Sequence, residues 1–359
     1  MASTITSCFP NVPTSTGRIS PSTFNLSHQM PNLYSDDRLR LAARLYYIDG
    51  LGQNEVAKFV KVSQAKVSRL LALARERGIV RISVADYEPR RRDLEGQLCE
   101  RFSLKTAVVL KAIDGLNTSD LRRAVGHFGS MALEPMLEPK HVVAIAGGRT
   151  IHELVHHLPS PGNKALTVVQ AMGSVDSNVN AFDAQEVGRV LAQRLGGTFL
   201  PLNVPALMAD KQTRNALLNL EQVRSVHQRL GDADVALVGV GTLANSVFVE
   251  RDVLSAAQIN DLAKAGTVGE ICGRFFDRNG DESDSAWSDR VISVEIEQLR
   301  RIPLVLGVVS GSDRSAAILA AIHGKLLKGL IIDEAGAITL LAMAGAAAPR
   351  KAKVAKRKR

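Results

Sequence analysis

The hydrophobic positions near the start of the chain recur with the spacing of short amphipathic helices. The first predicted helix ends before Gly50, and only Lys61 and Val62 separate the second from the third. Ser63 is a favourable N-cap for the third helix, and Gly78 is a typical helix stop. The apolar faces are formed by Leu39, Ala42, Ala43, Leu45, Tyr46 and Tyr47; by Val56, Ala57, Phe59 and Val60; and by Val67, Leu70, Leu71 and Ala74. Three helices that share one small core predict a helix-turn-helix arrangement.

The third predicted helix is polar on the side away from this core. In a helix-turn-helix protein that helix lies in the major groove of double-stranded DNA. Gln64, Ala65 and Lys66 are therefore candidates for base contacts, because Gln can read adenine, Ala a thymine methyl group and Lys guanine. Ser63, Ser68 and Arg69 are better placed for phosphates. The alternative is a small dimerisation bundle with solvated charges.

The charge distribution favours the interpretation as a DNA-binding module. The chain has a net charge of +9, and residues 36–92 carry 13 Lys or Arg against seven Asp or Glu. The first 35 residues add one basic side chain and the last ten add seven, which leaves a net charge of −5 for residues 93–349. A positive field confined to the helical module and the tail suits local contact with DNA phosphates.

Beyond residue 92 the pattern changes to continuous apolar runs that alternate with helical segments. Runs of this kind, each followed by a loop and a helix, predict a mostly parallel sheet covered on both faces, so the fold class is α/β. The predicted strands are residues 106–112, 142–146, 166–172, 235–240, 303–309 and 329–333.

Small and polar residues follow several of these strands. Gly147, Gly148, Arg149 and Thr150 follow the second run, Gly173 and Ser174 the third, and Arg314 opens the helix after the fifth. Such loops meet at the carboxyl edge of a parallel sheet, where backbone N–H groups and helix N-termini favour anions. The sequence thus predicts a site for a small anionic ligand. Ordinary tight turns, which need glycine in any case, are the alternative.

Few other residues are candidates for binding a ligand, cofactor or metal. Asp176 and Arg251 are additional ligand candidates, the latter for a second anionic group. No loop matches the dinucleotide or nucleoside-triphosphate motifs, so no cofactor is predicted. Cys8, Cys99 and Cys272 form no metal-binding spacing and no disulfide framework, which favours a reducing cytoplasm. No apolar run is long enough for a membrane span, and no metal site is predicted.

Several blocks of the sequence resemble the SorC family of sugar-responsive bacterial transcription regulators. They include Tyr46-Tyr47, Gln53 at the start of the second helix, VSRLL and GIV in residues 67–80, AGGRT in 146–150, VGEICGRFFDRNG in 268–280, and residues 301–334. Together they extend over about residues 35–342, and their order is specific to the family.

The resemblance implies a sugar-phosphate effector domain similar to ribose-5-phosphate isomerase and glucosamine-6-phosphate deaminase. It implies that Gly147, Gly148, Thr150 and Arg314 hold the phosphate, that Glu270 meets the sugar hydroxyls, and that Gln53 belongs to the DNA-binding set. The family usually has Lys at the position of Arg314, a smaller residue at Arg149 and Arg at Gln64. Arg keeps the positive charge but does not readily form a Schiff base.

These observations predict a cytoplasmic regulator of a carbohydrate operon that binds operator DNA, a sugar or sugar-phosphate effector and further copies of itself, as a dimer or tetramer. The predicted domains are a disordered extension (1–34), a DNA-binding domain (35–92), an effector and oligomerisation domain (93–345) and a basic tail (346–359). The region 94–102 is expected to join the two domains. An isomerase or deaminase with an appended DNA-binding module is the alternative.

Overall fold

The computed structural model describes residues 34–85, 87–177, 180–283 and 285–347. The predicted N-terminal extension, apart from Tyr34, and the predicted basic tail after Ala347 lie outside the described residues. The chain divides into two units between Tyr87 and Glu88, five residues before the predicted boundary at residue 92.

The first unit contains the three predicted helices: α1 (Asp36–Tyr47), α2 (Gln53–Phe59) and α3 (Gln64–Glu76). Their apolar faces form one core, in which Leu39, Val56, Val67 and Leu70 are fully buried. The prediction was wrong for Phe59 and Tyr47, which are 64% and 36% exposed and do not pack in this core. Helical periodicity places Phe59 outside the face formed by Val56, Ala57 and Val60.

The second unit contains eleven further helices and nine strands within the described residues. The helices are α4 (Arg92–Phe102), α5 (Thr118–Leu133), α6 (Arg149–His156), α7 (Ala184–Leu195), α8 (Lys211–Leu218), α9 (Glu221–Arg229), α10 (Val247–Glu250), α11 (Ala256–Lys264), α12 (Ile296–Arg301), α13 (Ser315–His323) and α14 (Glu334–Ala347). The strands are β1 (Thr106–Leu110), β2 (Val142–Ile145), β3 (Thr167–Gln170), β4 (Thr198–Leu200), β5 (Val235–Val238), β6 (Gly269–Ile271), β7 (Arg274–Phe276), β8 (Leu304–Val308) and β9 (Gly329–Asp333). None of the described helices is long and apolar enough to cross a membrane.

Seven of the strands form one parallel sheet in the order β1-β9-β8-β5-β2-β3-β4. The apolar runs become its buried core, as the fold-class prediction requires, and all six predicted strands are confirmed with ends up to two residues shorter. The sequence did not predict the three-residue strand β4 or the antiparallel pair β6–β7.

The strand order reverses between β2 and β5. From β2 the chain continues outward through β3 to β4, then returns to β5 on the other side of β2 and continues through β8 to β9. In an open parallel sheet the connecting segments diverge at such a reversal and leave a crevice at the carboxyl ends of the two strands. The topology therefore places a ligand-sized opening after Ile145 and Val238.

The helix α4 belongs to the second unit, within the predicted effector domain (93–345), and its role as a connection between the two domains stays a prediction. Leu94 and Leu98 are buried in the core of that unit. The buried carboxylate of Glu95 accepts a hydrogen bond from the Val109 backbone at 3.0 Å and pairs with Arg90 at 2.6 Å. These contacts fix α4 against β1.

Candidate functional site

A cavity of about 330 Å³ opens at the carboxyl ends of β2, β3, β5 and β8. This is the crevice expected from the reversal of strand order. Its lining contains all eight residues that the sequence predicted for the effector: Gly147, Gly148, Arg149, Thr150, Gly173, Ser174, Glu270 and Arg314. The predicted residues thus lie together in one cavity, and their role as ligand contacts stays a prediction.

Gly147 and Gly148 are required for two different reasons. A Cβ atom on Gly147 would lie 2.7 Å from the Phe182 carbonyl oxygen and 2.8 Å from the Ala184 nitrogen, so the α7 segment passes too close for a side chain. Gly148 has a φ of 141°, a backbone conformation that is nearly restricted to glycine. Together they bring the chain directly from β2 into the first turn of α6, whose backbone N–H groups favour an anion.

The loop after β8 meets the loop after β2. The Thr150 hydroxyl lies 3.5 Å from the Ser310 hydroxyl, and the Arg314 guanidinium donates to the Ser310 carbonyl at 3.2 Å. Arg314 immediately precedes α13, and its side chain is 16% exposed. A guanidinium held in this way beside a helix N-terminus suits a carboxylate or phosphate group.

Gly173 and Ser174 belong to the wall of the cavity. A Cβ atom on Gly173 would lie 2.6 Å from backbone atoms of Pro205, and Ser174 exchanges backbone hydrogen bonds with Val204 and Ala206 at 2.9 and 2.7 Å. The glycine is therefore needed for this close approach of two chain segments, and the half-buried Ser174 is the residue that can offer a hydroxyl.

Glu270 lies in the first strand of the β6–β7 hairpin. Cys272 and Gly273 form the two-residue turn, with φ of 51° and 76°. The carboxyl group of Glu270 is buried and accepts a hydrogen bond from the Gly273 backbone, and a Cβ atom on Gly241 would lie 2.9 Å from Oε2. Burial raises the pKa of Glu270, while hydrogen bonds from Gly273 and Ser246 act in the opposite direction.

Arg122, near the start of α5, is a cavity residue that the sequence analysis missed. Its half-buried guanidinium has no hydrogen bond or ion pair within the described part of the chain. Burial lowers its pKa, as do the positive charges of Arg149 and Arg314. No strand-end pattern marks this residue, because it comes from the helix that packs across α6.

Arg251 is not the free cation that the sequence suggested for a second anionic group. Its guanidinium pairs with Asp176 at 2.9 Å and with Asp183 at 2.6 Å. Asp183 also accepts from the Asn180 backbone at 2.7 Å. Asp176 and Arg251 therefore pair with each other, and Asp183 links Arg251 to the start of α7.

The histidines of α5 and α6 are not among the residues that line the cavity. The rings of His152 and His156 lie 4.0 Å apart, and His152 meets the ring of Phe182 at 5.0 Å. Among the described residues no group of three or more His, Cys, Asp or Glu side chains is placed to hold a metal ion.

In the first unit, the candidate DNA-binding residues share an exposed surface. The Ser63 hydroxyl caps α3 by accepting from the Lys66 backbone at 3.3 Å. Lys61, with a φ of 51°, makes the tight turn between α2 and α3. Exposed residues are Ser63, Gln64, Ala65, Lys66, Ser68 and Arg69, whereas Gln53 is half-buried at the start of α2.

Comparisons with known proteins extend over both units. The family model described as "Putative sugar-binding domain" matches residues 89–342. The sorbitol operon regulator of Klebsiella pneumoniae is 28% identical over 86% of this chain and 99% of that protein. The deoxyribonucleoside regulator of Bacillus subtilis is 29% identical over 82% of this chain and 93% of that protein.

A solved structure shows the same similarity to a sugar-operon regulator. The crystal structure of the full-length sorbitol operon regulator from Klebsiella pneumoniae superimposes with a TM-score of 0.69 at 29% identity, covering 86% of this chain and 99% of that chain. The family model accounts for more than half of the chain, and the chain matches these similar proteins over 93–99% of their own length. The chain therefore belongs to the SorC family of sugar-binding transcriptional regulators.

Proposed function

We propose that this chain regulates a carbohydrate operon by binding operator DNA through α3, and that a small sugar or sugar phosphate in the cavity changes this binding. The observation that carries the proposal is the convergence of the eight predicted residues on one cavity at the strand-order reversal. Relatives named as regulators of sorbitol operon, deoxyribonucleoside and erythritol functions support the regulatory role.

The exposed face of α3 supports the DNA-binding half of the proposal. Val67, Leu70 and Leu71 hold the helix on the core, so the opposite side is free to enter a major groove. Gln64, Ala65 and Lys66 lie in the first turn, where a recognition helix contacts base edges, and Ser63, Ser68 and Arg69 flank them for phosphates. Two copies are needed to contact two half-sites, and we propose a dimer or tetramer.

The DNA-binding half is tested with DNA that the purified full-length chain selects from a random pool. Fluorescence anisotropy then gives the affinity at several salt concentrations. Lys66→Ala is expected to reduce the preference for the selected sequence, and Arg69→Ala to weaken all DNA and reduce the salt dependence. Lys264→Ala, in α11 of the second unit, is the matched control. Equal losses for selected and random DNA would remove Lys66 from the base contacts.

The ligand half is tested by adding sugars and sugar phosphates to the same complex. A ligand changes DNA affinity only if it binds one state of the regulator more tightly than the other. Arg314→Ala is expected to retain DNA binding and lose the response to the ligand. A full response in this variant would contradict the assignment of Arg314, and no response of the wild type to any member of a broad panel would contradict the regulatory role of the cavity.

We infer a non-catalytic, cytoplasmic role, supported by the names of the relatives. The similarity to ribose-5-phosphate isomerase and glucosamine-6-phosphate deaminase stays a prediction of the sequence. Incubation of the purified chain with candidate sugar phosphates tests the alternative, since turnover that is lost in Glu270→Gln would establish an enzyme.

A further inference from the structure

Two histidines of α6 stack on each other and on a residue of the cavity wall. The rings of His152 and His156 lie one helical turn apart, with centroids separated by 4.0 Å and planes tilted by 35°. The ring of His152 also meets that of Phe182 edge to face, with centroids separated by 5.0 Å. Phe182 lines the cavity, so the pair reaches the cavity through this phenylalanine without lining it.

The His152 imidazole is held where a positive charge is unfavourable. Its side chain is 17% exposed, and its Nδ1 atom is buried without a hydrogen-bond partner in the described structure. Burial lowers the pKa of His152, and a charge on His156 lowers it further, whereas Glu153 and Glu186 act in the opposite direction. His152 is therefore uncharged near pH 7.

The carboxylates near the pair are not placed to accept a hydrogen bond from an added proton. Around the two rings, α5, α6, α7 and the residue before α7 contribute the titratable or charged side chains His127, Glu153, His157, Asp183, Glu186 and Arg189. Oε1 of Glu153 lies 3.8 Å from His152 Nδ1, beyond hydrogen-bond distance. Both oxygens of Glu186 are bonded to Arg189, at 2.7 and 2.9 Å. A proton added to His152 would thus lie beside His156 with no acceptor in place.

Protonation of His152 would favour release of its ring. A buried N–H group without an acceptor is unfavourable, and so is a charge beside a second imidazole. Rotation of the ring into water relieves both effects and breaks the contact with Phe182. The Phe182 carbonyl oxygen accepts from the Gly148 backbone at 2.8 Å, so the segment that contains Phe182 is joined directly to the glycine loop of the cavity.

We propose that His152 makes this wall of the cavity sensitive to acid: while uncharged it holds Phe182 against α6, and when protonated it releases Phe182 and loosens the contact between Gly148 and Phe182. Because the pKa of His152 is lower in the stack than in water, the contact is fully formed above about pH 6.5 and weakens as the pH falls below that value. The effect on a bound ligand rests on the proposed role of the cavity as the effector site, whereas the change in the wall itself does not.

Hydrogen–deuterium exchange of the full-length chain, followed by mass spectrometry, tests the inference without a ligand. The peptides that contain Gly148 and Phe182 are compared between about pH 7.5 and about pH 5.5, after correction for the intrinsic pH dependence of exchange. If the released imidazole has a pKa of about 6.5, the opening of these peptides should increase about tenfold over this range. The peptide that contains β9 should keep its protection, since its exchange reports unfolding of the whole unit.

Substitutions of two histidines separate the proposed contact from a general effect of acid. His152→Phe keeps an aromatic ring that cannot be protonated, so the Gly148 and Phe182 peptides should be protected equally at both pH values. His323→Phe is the matched control, because His323 is exposed at the end of α13, and it should show the wild-type response. If the β9 peptide shows that His152→Phe does not fold, His152→Gln takes its place, since its side chain is also uncharged.

Three results would overturn the inference: unchanged protection of the Gly148 and Phe182 peptides in the wild type at the lower pH, the same acid response in the uncharged His152 variant as in His323→Phe, or simultaneous loss of protection in β9. A ligand that alters DNA binding should lose more affinity on acidification in the wild type than in His152→Phe. If no ligand alters DNA binding, the proposed function fails, while the exchange experiment still decides whether His152 controls the wall.

Discussion

Gly126 permits the close crossing of α5 over α6, and its replacement by alanine is the sharpest test of the architecture around the cavity. A Cβ atom at this position would lie 2.4 Å from the Cβ of Glu153 and 2.6 Å from its carbonyl carbon. Since carbon atoms make ordinary contact at about 3.5–4.0 Å, the two helices would have to separate by about 1 Å or more. The atoms that would be met belong to the body of α6, so rotation of a flexible side chain cannot relieve the overlap.

The expected change in the free energy of unfolding of Gly126→Ala is the sum of two opposed effects. Overpacking typically costs about 1–3 kcal/mol, and an overlap with backbone belongs at or above the upper end of that range. Alanine regains about 1 kcal/mol over glycine inside a helix. We therefore expect Gly126→Ala to lower the free energy of unfolding by about 2 kcal/mol or more. Gly129→Ala, on the same helix, should cost less, because the nearest atoms are side-chain methyl groups of Ile331 and Leu154 and not backbone.

Gly96 provides the matched control. It lies in the middle of α4, is exposed, and has no atom within 4 Å of the point that a Cβ atom would occupy. Gly96→Ala should therefore show only the helix-propensity gain, a stabilisation of about 0.5–1 kcal/mol. The same substitution is thus expected to lower the free energy of unfolding at Gly126 and to raise it at Gly96, although both positions are helical and lie in one unit.

The assay uses the only tryptophan of the chain, Trp287, which is 4% exposed and lies in the same unit as both glycines. Urea unfolding followed by its fluorescence therefore reports the second unit separately from the first. A Gly126→Ala variant that unfolds at the wild-type urea concentration, or later than Gly96→Ala, would refute the close crossing of α5 and α6.

Three other predictions concern buried charges of the second unit. Because burial raises the pKa of Glu270, the proton on this carboxyl group stabilises the fold at low pH, and this stabilisation is lost as the pH rises through the raised pKa. The melting temperature of the wild type should therefore fall between about pH 4 and about pH 8, and that of Glu270→Gln should fall less. Arg274 is 1% exposed, donates to Ser293 and pairs with Glu282 and Glu295. Arg274→Met should therefore lower the free energy of unfolding, measured with urea, by about 3–5 kcal/mol, and a loss below about 1 kcal/mol would contradict the place of Arg274 in a buried network. Glu334→Gln should retain ligand affinity in calorimetry but weaken the ligand's effect on DNA binding; an unchanged effect would show that its pairing with Arg91 carries no signal.

The sequence predicted the sheet and most of the cavity because both depend on local patterns. Continuous apolar runs mark parallel strands, and the glycines after β2 mark the point where the chain enters α6. The three-residue strand β4 is too short to give such a pattern. The β6–β7 hairpin was missed because its two-residue turn is Cys272-Gly273, in which cysteine occupies a position of positive φ that usually contains Asn, Asp or Gly.

The charges of the cavity required the tertiary structure. Arg122 reaches the cavity from α5, and only the crossing of α5 over α6 brings it near Arg149 and Arg314. Arg251 looks like a free cation in the sequence because its partners, Asp176 and Asp183, lie 75 and 68 residues away along the chain. Phe59 was assigned to the core on spacing alone, although the short helix α2 needs only Val56, Ala57 and Val60 to cover its inner face.

Two consecutive carboxylates at the end of β9 connect the cavity loop to the start of the second unit. Asp333 is 2% exposed and accepts from the Gly311 backbone, in the loop that carries Arg314. Glu334 accepts from the Ala112 backbone at 2.8 Å and pairs with Arg91. Arg91 itself donates a backbone hydrogen bond to Val109 at 2.8 Å, so residues 89–91 are held along the edge of β1. Asp333 and Glu334 are consecutive, so a single peptide unit connects the Gly311–Arg314 loop to the segment that follows Tyr87. If a ligand displaces this loop, the movement reaches that segment through Glu334. Glu334 is therefore a better position than α4 at which to test how the ligand signal is transmitted.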